Sequence, residues 1–148
     1  MDRFFRGFTA GVVGGIVMHL WTLVALNILN WEIIRFIDWA GVVVYGDLPR
    51  SHAEGLIALF LQLTWVGVLG IGFVFLIPQV TSQAYLLKGI IYGVVAGFII
   101  YAIPTLFQMP FIGEHSVATV VSNHTGGALW GLVMSKTLHL LDKKIAST

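Results

Sequence analysis

Two stretches of this chain share one pattern: RGFTAGVVGGIVMHL at residues 6–20 and KGIIYGVVAGFIIYA at residues 88–102. Each begins with a basic residue, places glycine at every fourth position and continues without another charged residue. In lipid, where the hydrophobic effect does not draw helices together, glycine at this GxxxG spacing lets two helix backbones approach closely. The pattern therefore predicts tightly packed membrane helices with two glycine ridges. The first ridge is Gly7, Gly11 and Gly15, and the second is Gly89, Gly93 and Gly97.

The overall composition is typical of a membrane protein. Of the 148 residues, 57% are apolar and only 10% are charged, and the mean hydropathy is +0.90. A soluble domain carries about 25% charged residues. A membrane core of about 30 Å takes about 20 helical residues to cross. Four segments meet that length and predict an all-α bundle of four transmembrane helices, at about 7–30, 54–77, 86–109 and 116–140.

Charge and cysteine content limit the classes of partner and cofactor. A net charge of +1 provides no basic stripe for nucleic acid, so we expect no nucleic-acid partner. The absence of cysteine excludes disulfides and iron–sulfur clusters. Basic loop residues favour the cytoplasmic side, which predicts a multi-pass protein of the cell (inner) membrane with both termini in the cytoplasm. Six basic residues then lie inside and two outside: Arg3, Arg6, Lys88, Lys136, Lys143 and Lys144 against Arg35 and Arg50.

The segment at about 31–46, WEIIRFIDWAGVVVYG, separates the first two predicted spans. Its charged residues Glu32, Arg35 and Asp38 recur at every third position, with apolar residues between them. This pattern predicts an amphipathic helix in the outer membrane interface. Aromatic residues favour the headgroup level, where we expect Trp31, Trp39 and Tyr45. The alternative is a re-entrant segment packed into the bundle.

The two glycine ridges also suggest how the helices are related. Both begin on the same predicted side, so the first and third spans run parallel. A tandem repeat of two helical hairpins explains this, with the 31–46 segment inserted in the first hairpin. Independent small-residue helices remain the alternative, as does packing of the ridges between copies rather than within one chain. The fourth span adds a further small-residue ridge: Asn123, Gly127, Gly131 and Ser135.

Several polar residues fall within the predicted spans. His19 lies one turn beyond Gly15 and Tyr101 lies one turn beyond Gly97, so a hydrogen bond between them is one expectation. Polar residues inside a membrane mark functional sites or satisfy one another structurally, and both interpretations stay open for His19. An outward-opening polar cavity and interhelical hydrogen bonding are equally consistent with the full set. That set is His19, Asn27, Gln62, Tyr101, Asn123 and His124.

Two further sites can be drawn from the histidines. Imidazole and carboxylate groups can hold zinc or a similar ion, although acidic first turns are also expected from the helix dipole. The candidates for an outer-surface metal site are Asp47, His52, Glu54, Glu114 and His115. Haem b would need two axial imidazoles on different helices, and His19 with His124 is the candidate pair.

The layout resembles small bacterial integral membrane proteins of the YqhR and YagU kind. The resemblance is carried by GFTAGVVGGIVMHLW at 7–21, KGIIYGVVAGFIIYAIPTLFQMPFIG at 88–113 and ALWGLVMSKTL at 128–138. These stretches cover around half of the chain. The resemblance implies a four-helix membrane protein and no particular functional residue, because the functions of that group are poorly defined.

No enzymatic signature is found in the sequence. A P-loop, a G-x-S-x-G elbow and an H-E-x-x-H motif are all absent, and the short loops leave no soluble catalytic domain. The leading hypothesis is a non-enzymatic membrane protein that acts through helix packing, as a homo-oligomer or an accessory subunit of a membrane complex. One alternative is a small transporter or channel that uses the polar cavity. Another is a haem- or quinone-binding redox subunit.

Overall fold

The computed structural model describes residues 2–77, 83–109, 112 and 115–146, and these residues form an all-helical bundle. Three of the helices are long and apolar enough to cross a membrane: α1, α3 and α4. The helix that corresponds to the fourth predicted span, α5, has 30 residues but is less apolar. The helices are α1 Arg3–Asn27, α2 Phe36–Tyr45, α3 His52–Leu76, α4 Tyr85–Leu106 and α5 Val117–Ala146.

The helices follow one another across the bundle in the order α3, α1, α5, α4. α1 packs along both α3 and α5, α5 also packs along α4, and α2 packs against α3. α3 and α4 approach each other at Tyr92, whose hydroxyl donates a hydrogen bond of 2.9 Å to the Leu69 carbonyl. The Tyr92 ring also lies 5.3 Å from the ring of Phe73. Little else in the described residues joins α3 to α4, and the cavity of the next subsection lies between them.

Glycines allow the close contacts within each helix pair. A Cβ added at Gly7 would lie 2.8 Å from the Gly70 carbonyl oxygen, which joins α1 to α3. A Cβ added at Gly127 would lie 2.8 Å from the Gly93 carbonyl oxygen, which joins α5 to α4. A Cβ atom essentially never approaches a backbone oxygen this closely. We call these contacts the α1–α3 seam and the α4–α5 seam, and both lie within one chain.

Capping and one ion pair fix the helix ends. Ser51 Oγ accepts a hydrogen bond of 3.2 Å from the Glu54 amide and so caps the start of α3. Arg6 forms an ion pair with Asp142. The first turns of α1 and the last turns of α5 therefore lie at the same end of the bundle.

The segment between α1 and α3 differs from the predicted interfacial helix. Only Phe36–Tyr45 is helical, and its side chains Phe36, Trp39 and Val42 are buried. Phe36 belongs to the core cluster that contains Met18 and Trp130. Trp39 is therefore packed inside the bundle and is not exposed on its surface. The depth of the segment in a membrane, and with it the choice between an interfacial helix and a re-entrant segment, stays a prediction.

An ion pair makes this burial possible. Asp38 is buried, and its two carboxylate oxygens accept hydrogen bonds from Arg35 Nε at 2.9 Å and from a terminal guanidinium nitrogen at 2.6 Å. A buried carboxylate is costly unless it is paired, and Arg35 supplies the pair from a half-exposed position. Two of the three charges that suggested an amphipathic surface helix, Arg35 and Asp38, thus neutralise each other, and Glu32 is exposed. α2 ends at Gly46, whose φ of +74° is a conformation that glycine adopts readily.

Candidate ligand cavity

A cavity of about 390 Å³ lies between α2, α3 and α4, with α5 behind it. Its volume falls in the range of small-molecule sites, about 300–1,000 Å³. The cavity is half enclosed, and none of its described lining residues is charged. Four large aromatic side chains contribute to its wall: Phe36, Trp39, Trp65 and Trp130.

The third glycine of the second ridge opens onto this cavity. A Cβ added at Gly93 would collide with the Gly127 carbonyl oxygen of α5. One turn later, a Cβ added at Gly97 would meet no heavy atom within 4 Å, although Gly97 is buried and lines the cavity. The close contact between α4 and α5 thus stops short of Gly97. The missing side chain leaves room for a ligand instead of a helix.

Gln62 of α3 is the one predicted cavity residue that lines this space. It is buried, and its Oε1 lies 2.7 Å from His19 Nε2 of α1. With Oε1 as acceptor, His19 Nε2 carries the hydrogen. Within the described chain this is the only hydrogen bond of the Gln62 amide, so its Nε2, with two N–H donors, is left at the cavity wall.

Tyr101 takes different partners from the one expected. Its hydroxyl donates to the Thr119 carbonyl at 3.2 Å and accepts a hydrogen bond of 2.9 Å from Asn123 Nδ2. Asn123 Nδ2 also donates to the Ile34 carbonyl at 3.1 Å. The predicted hydrogen bond between Tyr101 and His19 is therefore wrong. The physical reason is that the face of α1 that carries its glycines packs on α3 and not on α4.

The side chains that were predicted to line one polar cavity therefore make separate contacts. The His124 ring stacks on Tyr101 at 5.3 Å between centroids, and neither residue lines the cavity. Asn27 is exposed and donates to the Leu23 carbonyl of its own helix at 2.9 Å. A polar group in apolar surroundings costs free energy unless it is hydrogen-bonded. Most of these side chains accordingly lie where a partner is available, and the cavity wall is apolar.

The two candidate haem ligands face different helices. His19 contacts Gln62 of α3, whereas His124 stacks on Tyr101 of α4 and its Nδ1 lies 2.8 Å from the Val120 carbonyl oxygen. Axial ligands must point at one iron from opposite sides. The geometry does not bring the two rings together in this way, and the haem hypothesis gains no support from it.

The two carboxylates of the predicted metal site that the structure describes, Asp47 and Glu54, already have partners. Asp47 pairs with Arg50, whose hydrogen bond lowers the pKa of that carboxyl. Glu54 accepts a hydrogen bond of 2.7 Å from the Arg50 amide as part of the helix start, and His52 is exposed beside it. Asp47 therefore serves in an ion pair and Glu54 in a helix cap, and not as the metal ligands that were predicted.

His115, the second histidine of the predicted metal site, packs against aromatic rings. The His115 ring is 5.2 Å from Trp39 and 4.6 Å from Tyr101, inside an aromatic cluster. Glu114, the remaining predicted ligand, lies outside the described residues. Over the part of the chain that the structure describes, no group of three or more histidine, aspartate or glutamate side chains could hold a metal ion. The predicted outer-surface site is wrong for its described members.

The aromatic wall was not found from the sequence. Trp39 was expected at the membrane surface, and Trp65 and Trp130 were not singled out. The one sequence signal for the cavity was Gly97, because a glycine ridge that extends beyond its contact with the neighbouring helix leaves space beside it. Nothing in the spacing of residues indicates that α3 and α4 are separated beside Gly97.

No protein-family model, curated protein or solved structure matches the chain. The resemblance to proteins of the YqhR and YagU kind stays a prediction that rests on glycine and aromatic patterns. The function is therefore argued from the cavity.

Proposed function

We propose that the chain is a non-enzymatic integral membrane protein that binds the apolar part of a lipid-like molecule between α2, α3 and α4. One observation carries the proposal. A cavity of about 390 Å³ with no charged residue in its described wall lies between α3 and α4, two helices that are each apolar enough to cross a membrane. A ligand of this cavity must be largely hydrocarbon, because apolar walls offer little to a polar solute.

The rim of the cavity supports entry from the bilayer. Side chains of all three surrounding helices line the cavity and remain exposed at its edge: Val43, Leu61, Trp65 and Ile103. Large exposed apolar side chains on membrane helices face acyl chains. A molecule dissolved in the bilayer thus reaches the cavity sideways, between α3 and α4, without crossing water.

The proposal includes four membrane crossings with both chain ends in the cytoplasm. α5 is long enough, since 30 residues at 1.5 Å each span about 45 Å. Its polar side chains Thr119, Ser122, Asn123 and Ser135 are buried within the bundle, so they are shielded from lipid. The ion pair between Arg6 and Asp142 supports an even number of crossings, and the distribution of basic residues supports the orientation.

Two other functions remain candidates with less support. Action as an oligomer or accessory subunit needs a surface other than the glycine seams, because the α1–α3 and α4–α5 seams occupy those glycines within the chain. Transport of a polar solute needs a continuous polar path. Instead, His19 pairs with Gln62 and Tyr101 pairs with Asn123. Gln62 is the only one of the predicted set that lines the cavity.

Gly97→Leu tests the proposal by filling the cavity. An added Cβ at Gly97 meets nothing within 4 Å, so the leucine side chain can enter the cavity without displacing the backbone. Gly55→Leu is the matched control, since Gly55 of α3 has equal space and does not line the cavity. Native mass spectrometry of the purified protein measures the fraction that retains a co-purified lipid.

We expect Gly97→Leu to reduce lipid retention about tenfold, which corresponds to about 1.4 kcal/mol, and Gly55→Leu to leave it unchanged. Equal retention by the wild type and both variants would show that the cavity is not the binding site.

A further inference from the structure

The Gln62 amide gives the apolar cavity one directional feature. Gln62 is nine-tenths buried at 7% exposure and lines the cavity, while Oε1 is held by His19 Nε2 at 2.7 Å. Its Nε2 makes no hydrogen bond with any described residue. Nε2 is not one of the fully buried side-chain atoms without a partner in the described residues, so it keeps some accessible surface. An N–H donor with only apolar neighbours costs free energy while it lacks an acceptor. A ligand with an acceptor oxygen at this position removes that cost, whereas a plain hydrocarbon does not.

The aromatic side chains describe the shape that fits beside this donor. The Trp130 ring is fixed because its Nε1 donates to the Gly11 carbonyl at 2.9 Å, and the Trp39 ring packs edge-on against Tyr101 at 4.9 Å. Trp65 stands exposed at the rim. Aromatic rings favour stacked or edge-to-face contact with other flat rings. The two packed indoles of Trp39 and Trp130, with Trp65 at the rim, therefore favour a flat ring over a flexible headgroup.

Charge and length limit the ligand further. None of the described lining residues is charged, and the uncompensated burial of a charged headgroup would be costly. The cavity follows α4 from Gly93 to Pro104, a rise of eleven residues or about 17 Å. A neutral ring thus leaves room for part of a hydrocarbon tail that extends into the opening between α3 and α4.

We propose that the cavity binds a membrane quinone: a neutral, flat ring with carbonyl oxygens and a hydrocarbon tail. Gln62 Nε2 donates a hydrogen bond to one carbonyl oxygen, the indoles of Trp39, Trp65 and Trp130 surround the ring, and the tail lies toward the bilayer. His19 is a positioning residue, because it holds Oε1 and so directs Nε2 into the cavity. The inference rests on the proposed function and concerns binding alone, without electron transfer.

The test uses a decyl-substituted benzoquinone and the purified full-length protein in nanodiscs. Quinones quench tryptophan fluorescence on contact, and three of the five tryptophans line the cavity. Two competitors are then tested for displacement of the quinone: decylbenzene, which lacks carbonyl groups, and a diacylglycerol, which has ester carbonyls but no flat ring. Gln62→Leu removes the amide, and Asn27→Leu is the matched control at an exposed amide outside the cavity.

We expect saturable quenching by the quinone, recovery of the fluorescence by either competitor only at a concentration at least about tenfold above that of the quinone, and about tenfold weaker quinone binding in Gln62→Leu. Asn27→Leu should bind as the wild type does. A second measurement needs no variant that alters folding: infrared difference spectra of bound quinone should show one carbonyl stretch moved to lower frequency. His19→Phe should reverse part of that shift, which a merely structural role for His19 would not do.

The outcomes separate the two proposals. The quinone inference is overturned if decylbenzene or the diacylglycerol displaces the quinone at a concentration equal to that of the quinone. It is also overturned if Gln62→Leu binds the quinone normally and the carbonyl stretch is unshifted. Lipid retention that is lost in Gly97→Leu would still support the proposed function in that case. If the quinone does not bind and Gly97→Leu also retains lipid, both proposals are wrong.

Discussion

The two glycine ridges have the same sequence pattern and different surroundings. In α1, a Cβ added at Gly7, Gly11 or Gly15 would meet α3 at every position. In α4, the first two glycines of the ridge face α5 in the same way, but Gly97 faces open space in the cavity. The difference shows that a glycine ridge predicts where a helix backbone is accessible, but not what packs against it. Another helix packs against every glycine of the first ridge, whereas the last glycine of the second ridge faces the cavity.

The residue that follows each ridge continues the comparison. His19, one turn beyond Gly15, crosses to Gln62 of α3. Tyr101, one turn beyond Gly97, crosses to Thr119 and accepts from α5. Each ridge and its polar residue thus serve one helix pair, α1 with α3 or α4 with α5. This arrangement is the one that a tandem repeat of two hairpins would produce, and the repeat stays a proposal.

The largest expected effect is at the closest contact of the α4–α5 seam. A Cβ added at Gly131 would collide with the Gly89 carbonyl oxygen, and the backbone on both sides of the seam leaves no side chain that could move away. We expect Gly131→Ala to lower the free energy of unfolding by about 3 kcal/mol, the upper end for overpacking. SDS titration of the detergent-solubilised protein, followed by circular dichroism, measures this.

Gly97→Ala is the control for that measurement. It makes the same chemical change in the neighbouring helix but meets no atom within 4 Å, and alanine is favoured over glycine in a helix by about 0.5–1 kcal/mol. Its stability should match or slightly exceed that of the wild type. Equal destabilisation by Gly97→Ala and Gly131→Ala would mean that the two positions have the same surroundings and that the comparison fails.

A smaller difference is expected within the α1–α3 seam. A Cβ at Gly11 would collide with the backbone carbonyl of Val66, whereas a Cβ at Gly15 meets only side-chain atoms, Val66 Cγ2 at 2.6 Å and Leu63 Cδ2 at 3.1 Å. Side chains can rotate and a helix backbone cannot. We expect Gly11→Ala to cost about 2–3 kcal/mol and Gly15→Ala about 1 kcal/mol in the same titration. A larger cost at Gly15 would show that the seam is centred nearer the middle of α1.

Much of the fold could be predicted from the sequence. Segment length and hydropathy alone decide which stretches form long apolar helices, and the bounds of α1, α3 and α4 lie within a few residues of those predicted. The fourth predicted span ends earlier than α5, which continues to Ala146. The site was not predictable in the same way. The sequence places Gln62, Tyr101 and His124 within the predicted spans, but the direction of each side chain depends on which helices pack together.

The smallest expected effect concerns which side chain His19 pairs with, Gln62 of α3 or Tyr101 of α4. His19 and Gln62 share a hydrogen bond of 2.7 Å, whereas Tyr101 bonds to Thr119 and Asn123 on the other side of the bundle. Hydrogen bonds between membrane helices contribute about 0.6 kcal/mol on average and at most about 1.7. A double-mutant cycle of His19→Phe with Gln62→Leu should therefore give a coupling of about 0.6–1.7 kcal/mol in the free energy of unfolding.

The matched cycle replaces the second partner with Tyr101→Phe, which removes only a hydroxyl that His19 does not contact. Substitutions without a shared partner add to within about 0.3–0.5 kcal/mol, so His19→Phe and Tyr101→Phe should show no coupling beyond that range. Because both cycles contain the same His19 variant, any general effect of replacing the imidazole is common to them. A coupling confined to the Tyr101 cycle would mean that α1 packs on α4 as the matching positions in the two ridges first suggested, and the assignment of each ridge to its own helix pair would be wrong.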